Sequence, residues 1–432
     1  MNLAILGFIM MIVFMALIMT KKMSALMALI IIPTVFALIG GFYANLGENM
    51  LEGISQVAPT GIMLVFAILY FSVMIDAGLF DPVVDRIVKV AKGDPLKITI
   101  GTVILASLVA LDGDGTTTFI ITVTAMMPLY KRVGMNLYIL ALLAILSIGV
   151  MNMTPWGGPT ARAISALHLT TEEVFTPIIP VMAMGIVFAI LVAIYFGFKE
   201  RKRLGGIIDI GEITAQHVDI SEKEKALRRP KLVIVNALLT ILLLVALILG
   251  WLPSAVLFML AFAIAMVINY PHIPTQQQLV KDHGGNVLAT VSLVFASGIF
   301  TGVLGGTGMV DAMANSLVQI IPESMGTHFA LIASFLSMPF TYFMANDPYY
   351  YGVLPILAES AAHYGVPAAE MARASIIGQP VHILSPLYAA GYLLVGMLDI
   401  DYGQNQRFAL KWAIGSSLFM IVFALIFGVI SF

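Results

Sequence analysis

The sequence predicts an all-α polytopic membrane protein made of two inverted-topology repeats, each with a re-entrant helical hairpin and a broken helix. Three observations carry this: an apolar, charge-poor composition, a series of membrane-length apolar runs, and two similar halves with opposite charge placement. The chain is 60% hydrophobic and 11% charged over 432 residues, with a mean hydropathy of +1.00. Soluble globular proteins are about 25% charged, so water cannot be the main solvent. A formal net charge of −2 excludes a broad basic face for nucleic acid. The absence of cysteine excludes disulfides, iron–sulfur clusters, thiolate metal sites and a cysteine nucleophile.

Apolar runs of about 20 residues can cross a bilayer. They occur near 3–20, 24–42, 58–77, 135–153, 176–198, 231–250, 253–270, 287–304, 374–398 and 408–431. The first lacks the leading positive charge of a signal peptide, because Lys21 and Lys22 follow it; it reads as a retained span. Basic residues mark cytoplasmic loops. Lys21 and Lys22 place the first loop inside, and the stretch 43–57, free of Lys and Arg, lies outside. Arg86, Lys89, Lys92 and Lys97 put the next connector inside. The basic stretch 199–230 is a cytoplasmic linker between a first repeat, 1–198, and a second, 231–432. Both termini then fall outside a cell membrane.

The halves align at three places in the same order. VFAILYFSVMIDAGLFD at 65–81 matches VFASGIFTGVLGGTGMVD at 294–311 with one insertion; 112–128 corresponds to 345–360, and 155–165 to 377–387. The first-half connector 79–97 is basic, whereas 305–327 and 352–369 carry no Lys or Arg. Matching segments therefore lie on opposite faces. Inverted repeats place a substrate site near the midplane at their interface, so the expected class is a secondary transporter.

Between Lys97 and Lys131, two short apolar arms, about 98–111 and 116–130, flank LDGDGTTT. Both outer ends are basic, which fits a hairpin, spanning about 98–130, that enters from the cytoplasm and turns at membrane depth. Its partner, about 328–363 with arms 328–344 and 348–363, turns at MANDPYY and enters from outside. Carboxylates at such depth cost roughly 2.5–3.5 kcal/mol on insertion scales, so Asp112, Asp114 and Asp347 are candidates for metal or proton coupling. Which of them does which stays open. Glycines 113 and 115 permit a sharp turn. Thr116, Thr117 and Thr118 are expected to cap the next helix, whose amides attract anions, and Pro348 suits a first helical position.

Two further motifs interrupt apolar helices, within about 135–170 and 370–398. In the first, Pro155, Gly157, Gly158 and Pro159 break the helix, Asn152 and Thr160 flank them, and Arg162 follows the break by one turn. In the second, Gly378, Pro380 and Pro386 do so, with Gln379, His382 and Ser385 between them. Broken backbone is tolerated at depth where it lines a cavity. Arg162 is either a snorkelling interface residue or a bidentate partner for a bound carboxylate. His382 is either a structural histidine or a relay or ligand contact. Together with Asn346 these polar positions form the candidate substrate site. Tyr349, Tyr350 and Tyr351 are as consistent with packing as with contact.

With ALDGDGTTT (110–118), MNMTPWGGPTARA (151–163), LAILGFIMMIVFMALIMTKK (3–22) and FMANDPYYYG (343–352), the chain resembles the citrate–divalent-metal:proton symporter family, CitMHS type, within the ion-transporter superfamily. The resemblance implies citrate taken up as a complex with a magnesium- or calcium-type cation and driven by protons, with no permanently bound cofactor. It also implies elevator-type scaffold and transport domains and a scaffold-mediated homodimer. The dicarboxylate branch of that superfamily has Ser-Asn-Thr at each tip. Here the tips read Asp-Gly-Asp-Gly-Thr and Ala-Asn-Asp-Pro, which adds carboxylates and departs from sodium-binding tips. The alternative is a sodium- or proton-coupled transporter of another di- or tricarboxylate. An enzyme is not expected, because no nucleophile or metal-ligand set accompanies Asp112 and Asp114; nor is a channel, which has no need of two opposed hairpins.

Overall fold

A computed structural model describes residues 2–207, 222–319, 326–344 and 346–432, and among these all regular structure is helical. Residues 208–221 of the expected linker, 320–325 of the second-half connector and Ala345 of the second tip lie outside the described residues.

The first half runs α1 (Leu3–Met19), α2 (Ala25–Ile39), α3 (Leu46–Asp76), α4 (Asp81–Ala91), α5 (Pro95–Val109), α6 (Gly115–Val133), α7 (Leu137–Met151), α8 (Gly158–Ala166) and α9 (Thr171–Arg203). A short helix, α10 (Glu222–Leu227), precedes the second half. There follow α11 (Val233–Ile248), α12 (Ser254–Asn269), α13 (Ile273–Gly306), α14 (Met309–Val318), α15 (Phe329–Phe343), a π-helical turn Pro348–Val353, and α16 (Leu354–Ala362). The chain closes with α17 (Ala368–Ile376), α18 (Gln379–His382), α19 (Ala389–Leu398) and α20 (Tyr402–Ile426).

Two helices are longer than their apolar runs predict. The run at 58–77 is the end of the 31-residue α3, and that at 287–304 is the end of the 34-residue α13. Their polar leading turns extend the helices: Glu48 stands in the first turn of α3 and Pro274 in that of α13, and Pro59 is accommodated within α3. The run at 374–398 is in turn three separate helices, interrupted at 377–378 and 383–388.

Helices α3 and α13 pack along their length. Gly53 faces Gly298 and Gly302, Asn49 faces Gly306, and Gly61 faces Phe295, so the two run antiparallel. A Cβ on Gly53 would stand 2.0 Å from the Gly298 carbonyl oxygen. Only glycine permits this approach, the small-residue device of membrane helix pairs. Helices α9 and α20 are also antiparallel, with Gly185 against Met420 and Phe196 against Phe408.

Helix α7 is buried on every face from Ile139 to Val150. An all-round apolar helix belongs at a centre. On the perimeter the pattern reverses: Ile234 is 75% and Val267 63% exposed, an outward apolar surface suited to lipid. Among the described residues, six helices are long and apolar enough to cross a membrane. One end of α3 is clamped by the segment after α10. Arg228 donates to the Ile75 carbonyl and pairs with Asp81, Arg229 covers the Tyr270 ring, and His283 meets Asp76 at 2.7 Å.

Candidate functional site

The first tip closes on itself. A 3-10 turn, Ala110–Asp112, leads to Gly113 at φ +78°, where a side chain would be strained. Asp112 Oδ1 accepts from the Asp114 amide (2.8 Å). Asp114 then caps α6, accepting from Thr116 N (3.0 Å), Thr117 N (3.1 Å) and Thr117 Oγ1 (2.7 Å). The expected threonine cap is thus an aspartate cap. The helix begins at Gly115, so the capping position falls on residue 114, and a carboxylate there serves two amides at once. Thr118 is buried and returns its hydroxyl to the Asp114 carbonyl (2.9 Å).

The second tip reaches outward instead. Asn346 and Asp347 are already helical, and Pro348 belongs to the π-helical turn rather than opening an α-helix. Asp347 Oδ1 accepts from Arg162 Nε at 2.6 Å, each side chain about one-fifth exposed. Arg162 Nη1 donates to the Gly158 carbonyl (2.9 Å). Asn346 Oδ1 is buried without a protein partner.

Each break is tied to a tip. In the first, Trp156 Nε1 donates to the Leu111 carbonyl (2.6 Å). Gly157 caps α8 with no room for a Cβ, which would stand 2.2 Å from the Asn152 carbonyl oxygen. Pro159 occupies the first turn of α8, and Thr160 donates to the Asn152 carbonyl (3.4 Å). Ser165 links α8 to Ser297 of α13 (2.7 Å). In the second break, Pro380 packs on Gly149 of α7, and Gln379 Nε2 donates to the Tyr350 hydroxyl (2.9 Å) while its Oε1 is unpartnered. His382 Nδ1 meets the Thr341 carbonyl (2.7 Å), and Ser385 Oγ donates to the Tyr342 carbonyl (2.7 Å).

The contacts also cross between halves. The first break meets the second tip through Arg162 and Asp347. The second break meets the first tip through Tyr388, whose hydroxyl sits so close to Gly115 that a Cβ there would fall 1.9 Å from it. The Tyr388 and His382 rings are edge to face at 5.6 Å. His382 lies within Coulombic reach of Arg162 and Asp347, and Tyr388 within reach of Asp112 and Asp114. Asp112 and Asp114 thus stand together and Asp347 apart. Among the described residues no three His, Asp or Glu side chains gather to hold a metal ion.

The profile of the citrate transporter family (CitMHS) matches residues 3–378. The chain belongs to the citrate transporter family. Its relatives include a "Citrate transporter" of Bacillus subtilis, 57% identical over 431 residues and covering all of both chains. A "Mg(2+)/citrate complex secondary transporter" of the same organism is 51% identical over 430 residues, covering 99% of each. As its relatives are named, this family member is a transporter and not an enzyme. Among solved structures it resembles the Alcanivorax borkumensis YdaH transporter, with a TM-score of 0.60 and 14% identity over 89% of this chain and 88% of that one. It also resembles Neisseria gonorrhoeae MtrF, with a TM-score of 0.57 and 14% identity over 89% and 82%. These two likenesses concern the fold.

Sequence reasoning did not find Trp156 or Tyr388, nor pair Arg162 with Asp347. Trp156 left a signal: an indole N–H inside an apolar break needs a buried acceptor. Tyr388 left none, since its neighbour Gly115 is remote in the chain.

Proposed function

We propose that this citrate-transporter family member is a secondary active transporter that takes up citrate complexed with a divalent cation, of magnesium or calcium type, driven by proton symport. The observation that carries the reading is the meeting of two hairpin tips and two helix breaks, with Arg162 and Asp347 joining the halves. The relative named as a Mg(2+)/citrate complex transporter supports the choice of cargo.

The architecture in this reading is an inverted repeat, 1–198 and 231–432, joined by a cytoplasmic linker, with both termini outside the cell membrane. Support comes from the element order of α1–α9, which recurs over α11–α20 with the short α18 as an added element in the second break, and from the antiparallel course of the matched pairs α3/α13 and α9/α20. By length Pro95–Asp112 could cross a membrane; its turn nevertheless abuts the interior break at Trp156, which favours a re-entrant hairpin. The hairpins and breaks would form a transport domain that moves against an α3/α13 scaffold, itself the place for a homodimer contact.

Ionised citrate carries three negative charges and a divalent cation offsets two, so the cargo is singly negative. Its free carboxylate is assigned to Arg162 and the α8 N-terminus at Gly157–Pro159, worth about 0.3–1 kcal/mol for an anion. Its metal face is assigned to the first tip, where Asp112 and Asp114 add hard oxygen donors. A cation already held by citrate needs few protein ligands, which accords with a pair rather than a cluster. Thr116, Asn346, Gln379 and His382 present the remaining polar contacts. Asn152, Thr117, Thr118, Thr160, Pro380 and Ser385 hold the tips and breaks in shape.

The test is labelled-citrate uptake into proteoliposomes, with imposed proton or sodium gradients and a panel of divalent cations. Accumulation is expected only with a cation and an inward proton gradient. Accumulation driven by sodium, or of citrate without metal, would replace this reading with the other carboxylate-carrier mechanism.

A further inference from the structure

The Arg162–Asp347 pair poses a problem for a carrier of anions. The guanidinium that should receive a cargo carboxylate is occupied by a carboxylate of the protein itself, at 2.6 Å and largely out of solvent. Its Nη1 is also turned to the Gly158 carbonyl. Burying either charge without a partner is unfavourable, so neutralising Asp347 leaves the Arg162 guanidinium in need of another anion.

We infer that Asp347 is the proton-binding group of the carrier, and that it couples proton to cargo by yielding Arg162 when it is protonated. This rests on the reading of the site given above and deepens it. A proton from the external side joins the Asp347 carboxylate and forms a neutral carboxylic acid. Arg162 then donates its N–H groups to the cargo carboxylate in place of Asp347. On release inside, the cargo leaves and Asp347 gives up its proton. The ion pair then forms again.

Charge makes the exchange obligatory. Empty and deprotonated, the pair sums to zero. With a singly negative cargo and a protonated Asp347, Arg162 and cargo again sum to zero. Cargo without proton leaves one negative charge uncompensated, and proton without cargo leaves one positive charge. The two neutral states are the ones suited to crossing a low-dielectric barrier, and they differ by one proton and one cargo together.

The surroundings fit this role. Among the described residues, the titratable and charged groups facing the pair are Tyr350 and Tyr351 on the π-helical turn and His382 on α18. Asp347 is the carboxylate of that set. The first-tip carboxylates face Tyr388 instead, so metal and proton have separate acidic groups.

The experiment compares wild type, Asp347→Asn and Asp347→Glu in proteoliposomes with magnesium citrate. Labelled-citrate counterflow at equal pH reads cargo exchange, and accumulation on an imposed pH gradient reads coupling. Wild-type apparent affinity is expected to weaken by about ten-fold per pH unit once Asp347 is ionised. Asp347→Asn is expected to exchange citrate with a pH-independent affinity, tighter than wild type in alkali, and to lose gradient-driven accumulation. Asp347→Glu is expected to accumulate citrate with a displaced pH profile. Accumulation by the Asn variant at the wild-type level overturns the proposal. So does a folded Asn variant without counterflow, which would make Asp347 a cargo ligand. If the Asn variant cannot be purified folded, a Glu profile superimposable on wild type overturns it. Absence of citrate counterflow in wild type would instead remove the transport reading itself, and this inference with it.

Discussion

The two hairpin tips occupy corresponding places in the element order, yet they use their acidic residues in opposite ways. At the first, Asp112 and Asp114 bond to the amides and a hydroxyl of their own turn, so the tip holds its shape locally. At the second, the Asp347 side chain accepts from Arg162, 185 residues away in the chain. One tip is a locally bonded carboxylate turn, the group to which the proposed function assigns the cation. The other depends on a partner from the opposite half, and that dependence can be switched.

The sharpest way to break this contrast is Asp112→Asn, which keeps an oxygen for the Asp114 amide and removes the charge. Metal–citrate uptake is expected to fall on the order of 100-fold with membrane insertion intact, because a hard cation loses an anionic oxygen. Undiminished uptake would take the metal away from the first tip. Arg162→Ala tests the second tip. It should raise the apparent KM about ten-fold or more and lower thermal stability by roughly 1–3 kcal/mol, as Asp347 loses a charged hydrogen bond. An unchanged KM would return Arg162 to an interface role.

Asp114 separates cap from charge. Asp114→Ala should cost about 0.5–2 kcal/mol of stability, read as a melting shift, while Asn, itself a good cap, costs far less. Equal losses would mean that charge rather than capping holds the turn. The smallest effect is expected from Trp156→Phe, which removes the bond to the Leu111 carbonyl. About 1 kcal/mol should disappear from stability, with citrate affinity moving little; a larger transport defect would give the break–tip contact a direct part in the cycle.

Much of this arrangement could be read from residue order. The arms expected at 98–111 and 116–130 are helical over Pro95–Val109 and Gly115–Val133, since apolar length and a Gly-rich turn are local signals. The break at 152–157 was equally visible in Pro155, Gly157, Gly158 and Pro159. Other features were not. Assigning the α6 cap to threonine missed it by two residues or more, and the identity of the cap depends on where the helix starts, at Gly115. The full length of α3 and α13 was hidden because their polar leading turns carry no apolar run; in α3 those turns are packed, with Gly53 against Gly298.

By itself the sequence determined the solvent, the helical class and which few polar groups must lie inside an apolar body. Composition, run length and turn chemistry act over a few to about twenty residues, and that is enough for those conclusions. Only the tertiary structure decided which charge meets which. Arg162 finds Asp347, and Tyr388 finds Gly115, because the two halves pack into one body with α3 and α13 antiparallel at close range. That pairing turns two acidic tips, similar as strings of letters, into a local cap and a long-range latch.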